Sequence, residues 1–357
     1  MGTRTLRLFL SVLLLAALGS AGELSSDLRA KLEASIDRGI DYLREHQKED
    51  GSWENDAGIT GLAATAILKR PGAEGKPVEP YVRKALDYLA SLAKDDGGIY
   101  IRDTPNYYTA VAMVALNASG DPKYDPLLEK SRAFLVGFQV DEEEGYSEDD
   151  KFYGGIGYGS DLRPDLANLE FALAALKDSA VPEDHPVWER AIKFIQRTQN
   201  RSESNDQEWA GNDGGFVYYP GFSYGGDAKG TQSYGSMTYA GLLSYSYANV
   251  KKEDARVRAA LDWIREHYTV DENPGMRMTT LYYYYMVFAK ALQAYGEDVI
   301  VDKNGVGHNW REDLGRKLLE LQYPEGYWVN EDPAWWQDNK VLVTSFTLLA
   351  LDYVLLD

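Results

Sequence analysis

Residues 39–53 read GIDYLREHQKEDGSW. The first part, Gly39-Ile40-Asp41-Tyr42-Leu43, sets a small residue, an aliphatic, an aromatic and a second aliphatic at helical spacing. Gln47 and an acidic glycine turn lead from it to Trp53. The first part returns as Ala85-Leu86-Asp87-Tyr88-Leu89, Ser131-Arg132-Ala133-Phe134-Leu135, Ala191-Ile192-Lys193-Phe194-Ile195 and Ala260-Leu261-Asp262-Trp263-Ile264. A degenerate sixth copy is Gly315-Arg316-Lys317-Leu318-Leu319. A unit that recurs at this scale marks a repeat architecture, in which neighbouring units bury one another's apolar faces. The aromatic positions are evenly spaced at 42, 88 and 134 and lie farther apart at 194 and 263, so the later units carry insertions.

Each signature is followed by a turn: Gln47–Trp53, Lys94–Tyr100, Gln139–Tyr146, Gln199–Phe216, Thr269–Met276 and Gln322–Trp328. Glycine suits the positive φ that such tight turns require. A second helix is predicted after each turn, over Ile59–Leu68, Tyr107–Leu116, Leu166–Leu176, Thr231–Ala248, Met278–Tyr295 and Val341–Leu355. The first helix of a unit is amphipathic, with Val82, Leu86, Leu89 and Ala93 on one face. The second is apolar nearly all round, as in Tyr108-Thr-Ala-Val-Ala-Met-Val-Ala-Leu, and a helix without a polar face belongs between other elements. The expected fold is therefore all-α: an (α/α)6 toroid, six outer helices around six inner ones, spanning 22–357 as one domain. Short β-hairpins are expected in its turns, at Gly215–Tyr219 and Gly98–Arg102.

The fourth unit is the most elaborated. Residues 206–249, DQEWAGNDGGFVYYPGFSYGGDAKGTQSYGSMTYAGLLSYSYAN, place glycines and aromatics where loops are normally polar. This longest turn is expected to overhang the mouth of the ring as a lid or wall.

Composition bounds the partners. The 357-residue chain carries a formal charge of −19, two units more negative once Arg4 and Arg7 leave with an N-terminal leader. That excess disfavours nucleic acid and anionic membrane surfaces. The leader reads as a signal peptide: Arg4 and Arg7, an apolar run Leu8–Leu18, then Gly19-Ser20-Ala21 as cleavage site. Export is therefore expected, to the periplasm or the medium. The apolar run is too short to span a bilayer, so the mature chain needs no membrane anchor. There is no cysteine, which excludes disulfides, thiolate zinc sites, thioesters and thiol nucleophiles. His46, His185, His267 and His308 show no metal-ligand spacing, and no glycine run has the form of a phosphate cradle, so neither a metal nor a cofactor is expected.

The pattern Tyr42-Leu43…Gln47…Gly51-Ser52-Trp53 is similar to the QW-type repeats of the α/α-toroid superfamily of terpenoid cyclases and protein prenyltransferases. Leu318-Leu319…Gln322…Gly326-Tyr327-Trp328 is a near-full copy, and Phe134…Gln139…Gly145-Tyr146 and Phe194…Gln199…Gly214-Gly215-Phe216 are partial ones. In such repeats the Gln amide is expected to satisfy free backbone groups at a helix end. The resemblance implies the double ring and, for an enzyme, isomerase or transferase chemistry of the cyclase or prenyltransferase kind. The superfamily's catalytic motifs are missing. The nearest run to Asp-x-Asp-Asp is Glu148-Asp149-Asp150, and Asp95-Asp96 continues as Gly97-Gly98-Ile99 rather than as Asp-Asp-x-x-Asp.

Acids that precede inner helices are Asp56, Asp103, Asp161, Asp165, Asp227 and Asp338. N-capping is the plain reading of each. Asp165 and Asp161 are the candidate catalytic pair, because two carboxylates in an apolar mouth push one another's ionisation apart. Tyr153, Tyr158, Tyr219, Phe222, Tyr224, Tyr234, Tyr284 and Trp336 are the candidate ligand-binding aromatics, against the plain reading of core filler. The segment Val329–Asp338 sets acids beside Trp335 and Trp336, either at a site or over the closing seam of the ring. Three functions fit: a toroid binding a hydrophobic, isoprenoid-like ligand in an aromatic cavity, a carbohydrate-active hydrolase or lyase, or a non-catalytic scaffold. A secreting host given the intact N-terminus should yield a mature chain that starts near Gly22, read by intact mass; a product retaining residues 1–21 would contradict export.

Overall fold

The computed structural model describes residues 24–159, 163–226 and 230–356. Among them are twelve α-helices in strict alternation. The outer ones are α1 (Ser26–Glu45), α3 (Pro80–Ser91), α5 (Asp125–Val136), α7 (Pro186–Thr198), α9 (Ala255–Glu266) and α11 (Trp310–Leu321). The inner ones are α2 (Ala57–Lys69), α4 (Pro105–Ala118), α6 (Leu166–Asp178), α8 (Gly235–Tyr247), α10 (Leu281–Tyr295) and α12 (Lys340–Leu355). Each inner helix packs on the inner helices before and after it, and α12 packs on α2, so the inner ring closes. The outer ring closes where α1 lies against α11 and α12. Residues 1–21, read above as a signal peptide, lie outside the described part, and no described helix is long and apolar enough to cross a membrane.

Burial follows the apolar pattern. In α2 every residue from Ala57 to Ile67 is buried, whereas α3 buries only Val82, Ala85, Leu86 and Leu89. Ala93, expected on the same face, lies beyond the end of α3.

The turns are held by one recurring device. Gln47 Nε2 donates to Gly51 O (2.8 Å) in its own turn and to Tyr81 O (2.9 Å) in the next outer helix. Gln139 does the same to Gly154 and Val187, Gln199 to Gly214 and Arg256, and Gln322 to Gly326 and Ser35. The last of these ties the end of the chain to α1. Beside each amide the turn glycine (Gly51, Gly154, Gly214, Gly326) has φ between 81° and 97°, and a Cβ there would fall within 3.0 Å of a backbone carbonyl of that next helix. The expectation of a glutamine capping free groups at a helix end is corrected accordingly. Its targets outside its own turn are carbonyls of the following outer helix, in the first turn for Tyr81, Val187 and Arg256 and mid-helix for Ser35, so it joins units rather than finishing one.

Threonines of the inner helices complete the turns. Thr60, Thr109, Thr238 and Thr344 Oγ1 accept from the backbone N–H of Trp53, Ile99, Phe216 and Trp328, at 2.9–3.1 Å. Trp53 and Trp328 also donate their indole N–H to Leu43 O and Leu318 O.

Three expectations about element boundaries are corrected. Helix α8 starts at Gly235, not Thr231, because Thr231–Tyr234 stay extended. Asn200 Nδ2 donates to Thr231 O and to Ser233 Oγ, and Tyr234 N donates to Phe216 O. Helix α10 starts at Leu281, not Met278, after Thr280 in the left-handed region (φ 56°). The expected hairpins at Gly215–Tyr219 and Gly98–Arg102 are reduced to isolated bridges, Gln199 with Phe216, Tyr219 with Phe222 and Ala93 with Ile99. The one two-stranded sheet among the described residues pairs β1 (Val299–Val301) with β2 (Gly307–Asn309), antiparallel, with Ile300 opposite His308. It joins α10 to α11 and therefore lies at the face opposite the inner-helix N-termini. Its turn is organised by Asp302 Oδ1, which accepts from the N–H of Asn304 and Val306.

Replacing Gly214 by alanine should cost more than about 2 kcal/mol, since a forced shift of Ala259 adds to the about 1–2 kcal/mol of left-handed backbone. Gly305→Ala has the same sign of φ (80°) and open space, and should cost only the backbone part. Urea denaturation of the two variants gives the difference; equal losses would show that the inter-unit contact contributes nothing.

Candidate ligand cavity

The six inner helices start at one face, and a cavity of about 320 Å³ lies inside the ring at that end. Its wall is aromatic: Tyr107 and Tyr108 from α4, Tyr158 from the third turn, Phe171 from α6, Tyr218, Tyr224 and Tyr234 from the fourth turn, Tyr283 from α10, Trp335 and Trp336 from the last turn and Phe346 from α12. Met237, Met276, Ile59 and Leu342 fill between them. The polar groups on the wall are few, chiefly Asp56, Thr104, Ser236, Thr280 and Gln337.

Asp56 and Asp165 are N-caps, of α2 and α6. Asp56 Oδ1 accepts from Ile59 N (3.0 Å) and Oδ2 from the Tyr108 hydroxyl (2.8 Å), with the Arg102 guanidinium 3.9 Å away. Asp165 Oδ1 accepts from Asn168 N (2.9 Å) and Oδ2 from Asn168 Nδ2 (2.8 Å). It is fully buried, and it does not itself reach the cavity wall. Tyr158 and Tyr218, whose rings feel its charge, do line that wall. Burial pushes the Asp165 carboxyl up to about 6, against the opposing pull of hydrogen bonds from Asn168 and Tyr218 and of the Arg163 charge. Burial likewise raises the Tyr158 phenol to about 12 and the Tyr218 phenol well above the ordinary value. Asn106, whose N–H meets Tyr158 O, and Asn168 keep buried side-chain oxygens without a protein partner. The arrangement sets a readily protonated acid behind phenols that face the cavity.

The other mouth acids differ. Asp103 and Asp338 are exposed and do not cap; Thr104 and Asn339 hold those positions. Asp161 and Asp227 lie outside the described residues, so the expected Asp161–Asp165 pairing does too.

Of the candidate aromatics, Tyr158, Tyr224, Tyr234 and Trp336 meet on the cavity wall, and Tyr153, Tyr219, Phe222 and Tyr284 stand off it. The Tyr153 hydroxyl donates to Glu142 in the third turn. Tyr219 and Phe222 stack on each other at 4.7 Å, with Arg163 over the Tyr219 face. Tyr284 is buried between the rings against Tyr239 and Phe288, its hydroxyl donating to Thr269 O. A tyrosine run on an inner helix turns different members to different surroundings, at about 100° per residue. Of Tyr282–Tyr285 only Tyr283 reaches the cavity.

The segment Val329–Asp338 does both things considered for it. Asn330 and Gln337 knit it to the start of α10: Asn330 Nδ2 donates to Met278 O (2.7 Å), and Gln337 Oε1 accepts from Tyr282 N (3.1 Å). Trp335 and Trp336 meanwhile stand at the cavity rim, 45% and 54% exposed. Both have left-handed backbone (φ 53° and 62°), a costly state for bulky side chains that the anchored loop imposes. Tyr224 from the fourth turn meets Trp335 edge-on at 5.1 Å, and Arg102 lies over Trp336. The long fourth turn is thus a wall of the cavity, in contact with the last turn across its mouth. Among the described residues no cluster of His, Asp and Glu could hold a metal ion.

Comparison with known proteins agrees with this architecture. The family model of the squalene-hopene cyclase C-terminal domain matches residues 64–224. A squalene–hopene cyclase of Bradyrhizobium diazoefficiens is 25% identical over 207 residues, 49% of this chain and 30% of that protein. A lanosterol synthase of Aspergillus fumigatus is 30% identical over 139 residues, 34% of this chain and 18% of that protein. The chain thus spans under a third of the length of these curated relatives. A type II terpene cyclase from Scytonema, solved with merosterolic acid A as product and with geranylgeranyl dihydroxybenzoate as substrate, superposes with TM-scores of 0.57 and 0.56. It is 14% identical, and the two superpositions cover 93% and 92% of this chain and 99% of that one. The chain thus has an α/α-toroid fold similar to that of terpenoid cyclases, in line with the resemblance of its QW-type repeats.

Since the folded Asp165 titrates near 6, its neutral form stabilises the protein below about pH 4, and that contribution is lost as the pH rises through 6. Wild type should therefore lose roughly 2 kcal/mol relative to Asp165→Asn between pH 4 and pH 7, since each tenfold gain in proton affinity on folding is worth about 1.4 kcal/mol and part of the loss falls below pH 4. Urea denaturation of both at the two pH values measures it; parallel profiles would show that Asp165 stays ionised.

Proposed function

We propose that the protein binds a hydrophobic, isoprenoid-type ligand in the mouth cavity and that it does so after export. The observation that carries this reading is the wall: eleven aromatic side chains around a space with one lining carboxylate, Asp56. Few polar groups on a concave apolar wall is the usual form of a small-molecule site, and ring faces attract developing positive charge as well as apolar chains. The terpene cyclase from Scytonema, on the same fold, holds a geranylgeranyl-bearing substrate.

A glycan reading asks for two carboxylates across an open cleft. Here Asp56 has both oxygens engaged, and Asp165 is screened by Tyr158 and Tyr218. A scaffold with a filled centre is disfavoured by the cavity itself. If the bound ligand is also transformed, Asp165 is the group we assign as acid, with Asp161 beside it in sequence and Tyr218 between it and the ligand. A proton would pass from the carboxyl to the phenol oxygen as the phenol proton moves to the ligand.

Farnesol should quench the rim tryptophans and bind in the micromolar range, whereas cello- and malto-oligosaccharides should not. Trp336→Ala should weaken farnesol by about tenfold, the scale of one buried aromatic contact. Calorimetry reads both; oligosaccharide binding without prenol binding would sink the proposal.

A further inference from the structure

The mouth cavity is not the whole of the ring axis. A second cavity of about 230 Å³ lies beyond it, toward the C-terminal ends of the inner helices. All six inner helices line both. Passing from one to the other, Ile59 gives way to Leu62 on α2, Tyr107 to Val111 on α4, Met237 to Leu243 on α8, Tyr283 to Met286 on α10, and Phe346 to Leu349 on α12. These steps are mostly one helical turn along one face, so the cavities are coaxial. On α6 there is no step: Phe171 lines both. Its ring meets Tyr107 edge-on at 5.2 Å and Tyr283 at 6.1 Å. The Tyr283 hydroxyl is buried there without a partner.

The second cavity is apolar at depth and ionic toward its rim, and its lining ions are paired. Lys290 Nζ donates to Glu170 Oε1 (2.8 Å), and Lys69 Nζ to Asp178 Oδ2 (2.8 Å). Charges compensated in this way offer no unpaired partner to an ionic head group. A neutral apolar tail suits the space, and a polar head is better placed at the mouth, beside Asp56, Thr104 and Gln337.

We propose that the two cavities form one tunnel, gated by Phe171, that takes a single elongated apolar chain with its head at the mouth and its tail among Val111, Leu243, Met286 and Leu349. This rests on the ligand class proposed above and adds length selection to it. The inner helices set the scale: α6 has 13 residues, so the axis runs about 20 Å at 1.5 Å per residue.

Geraniol, farnesol and geranylgeraniol form the test series, read by calorimetry. In wild type each added isoprene unit should tighten binding on the order of tenfold through burial of apolar surface. Ala174→Phe and Val114→Phe each fill only the second cavity. Either should erase the gain from farnesol to geranylgeraniol and leave the geraniol Kd unchanged, which also reports that the variant is folded. As a check without mutation, geranylgeraniol carrying a terminal diazirine should label Met286 or Tyr353 on irradiation. A wild-type affinity that stops rising at the mouth cavity, a gain that survives both fillers, or labelling confined to mouth residues would overturn the tunnel while leaving the mouth site intact. Failure of all three prenols to bind would instead overturn the ligand class, and the tunnel with it.

Discussion

A glycine pressed against the carbonyl of the next outer helix, with a glutamine amide bridging the same two segments, is the contact on which this molecule depends. Four turns repeat it in full, and the one made by Gln322 and Gly326 reaches back to α1. The second turn shows how far the device can vary. It has Ala93 where those four have glutamine, and the Ser131 hydroxyl of α5 donates to Gly97 O instead. Gly97 still presses on Lys130 of that helix. The fifth turn lacks the glycine contact, and there Lys317 of α11 pairs with Asp271. A bond within a unit would stabilise only that unit. These contacts lie between units, so each helix pair fixes the angle of the next, and the angles must sum to a closed ring.

Ring closure decides what the inner helices can be. They have neighbours on both sides and outer helices behind, so only the face toward the axis is free of protein. Small residues fill the flanks, as Ala63, Ala64 and Ala66 do in α2. The axis is then filled or left open according to which large side chains point inward. Near the N-terminal ends these are mostly tyrosines, and a tyrosine needs a partner for its hydroxyl when buried. Tyr108 finds Asp56. Tyr158 and Tyr218 gather around Asp165, whose own burial raises its affinity for a proton. The aromatic wall and the perturbed acid therefore share one cause: polar tips are enclosed at a ring end where apolar bodies line the cavity.

Much of this was legible in the chain. The six signatures mark α1, α3, α5, α7, α9 and α11, and the all-apolar runs mark their partners, because burial on one face or on all faces leaves different periodicities. Asp56 and Asp165 read as caps, and they are. The four threonines that close the turns were not read, although Thr60, Thr109, Thr238 and Thr344 stand at matching places; a threonine in an apolar run reads as filler until the turn that donates to it is present. The cavity wall was legible by composition and not by residue. Tyr283 and Tyr284 are adjacent and chemically identical, yet one faces the axis and the other the space between the rings. That assignment turns on the start of α10, which the left-handed Thr280 moves to Leu281.

By itself the sequence determined the repeat, the helix pairing and the class of fold, because these follow from local periodicity and from glycines that cannot be replaced where φ is positive. The tertiary structure alone decided which aromatics meet, that Asp165 sits behind Tyr218 rather than on the wall, and that Trp335 and Trp336 take left-handed backbone at the rim. Those outcomes are set by contacts between residues far apart in the chain, such as Tyr224 with Trp335 and Gln337 with Tyr282. They exist only once the ring has closed. The stretch 39–53 carries the rule that closes it, and what the closed ring encloses is a property of all six units together.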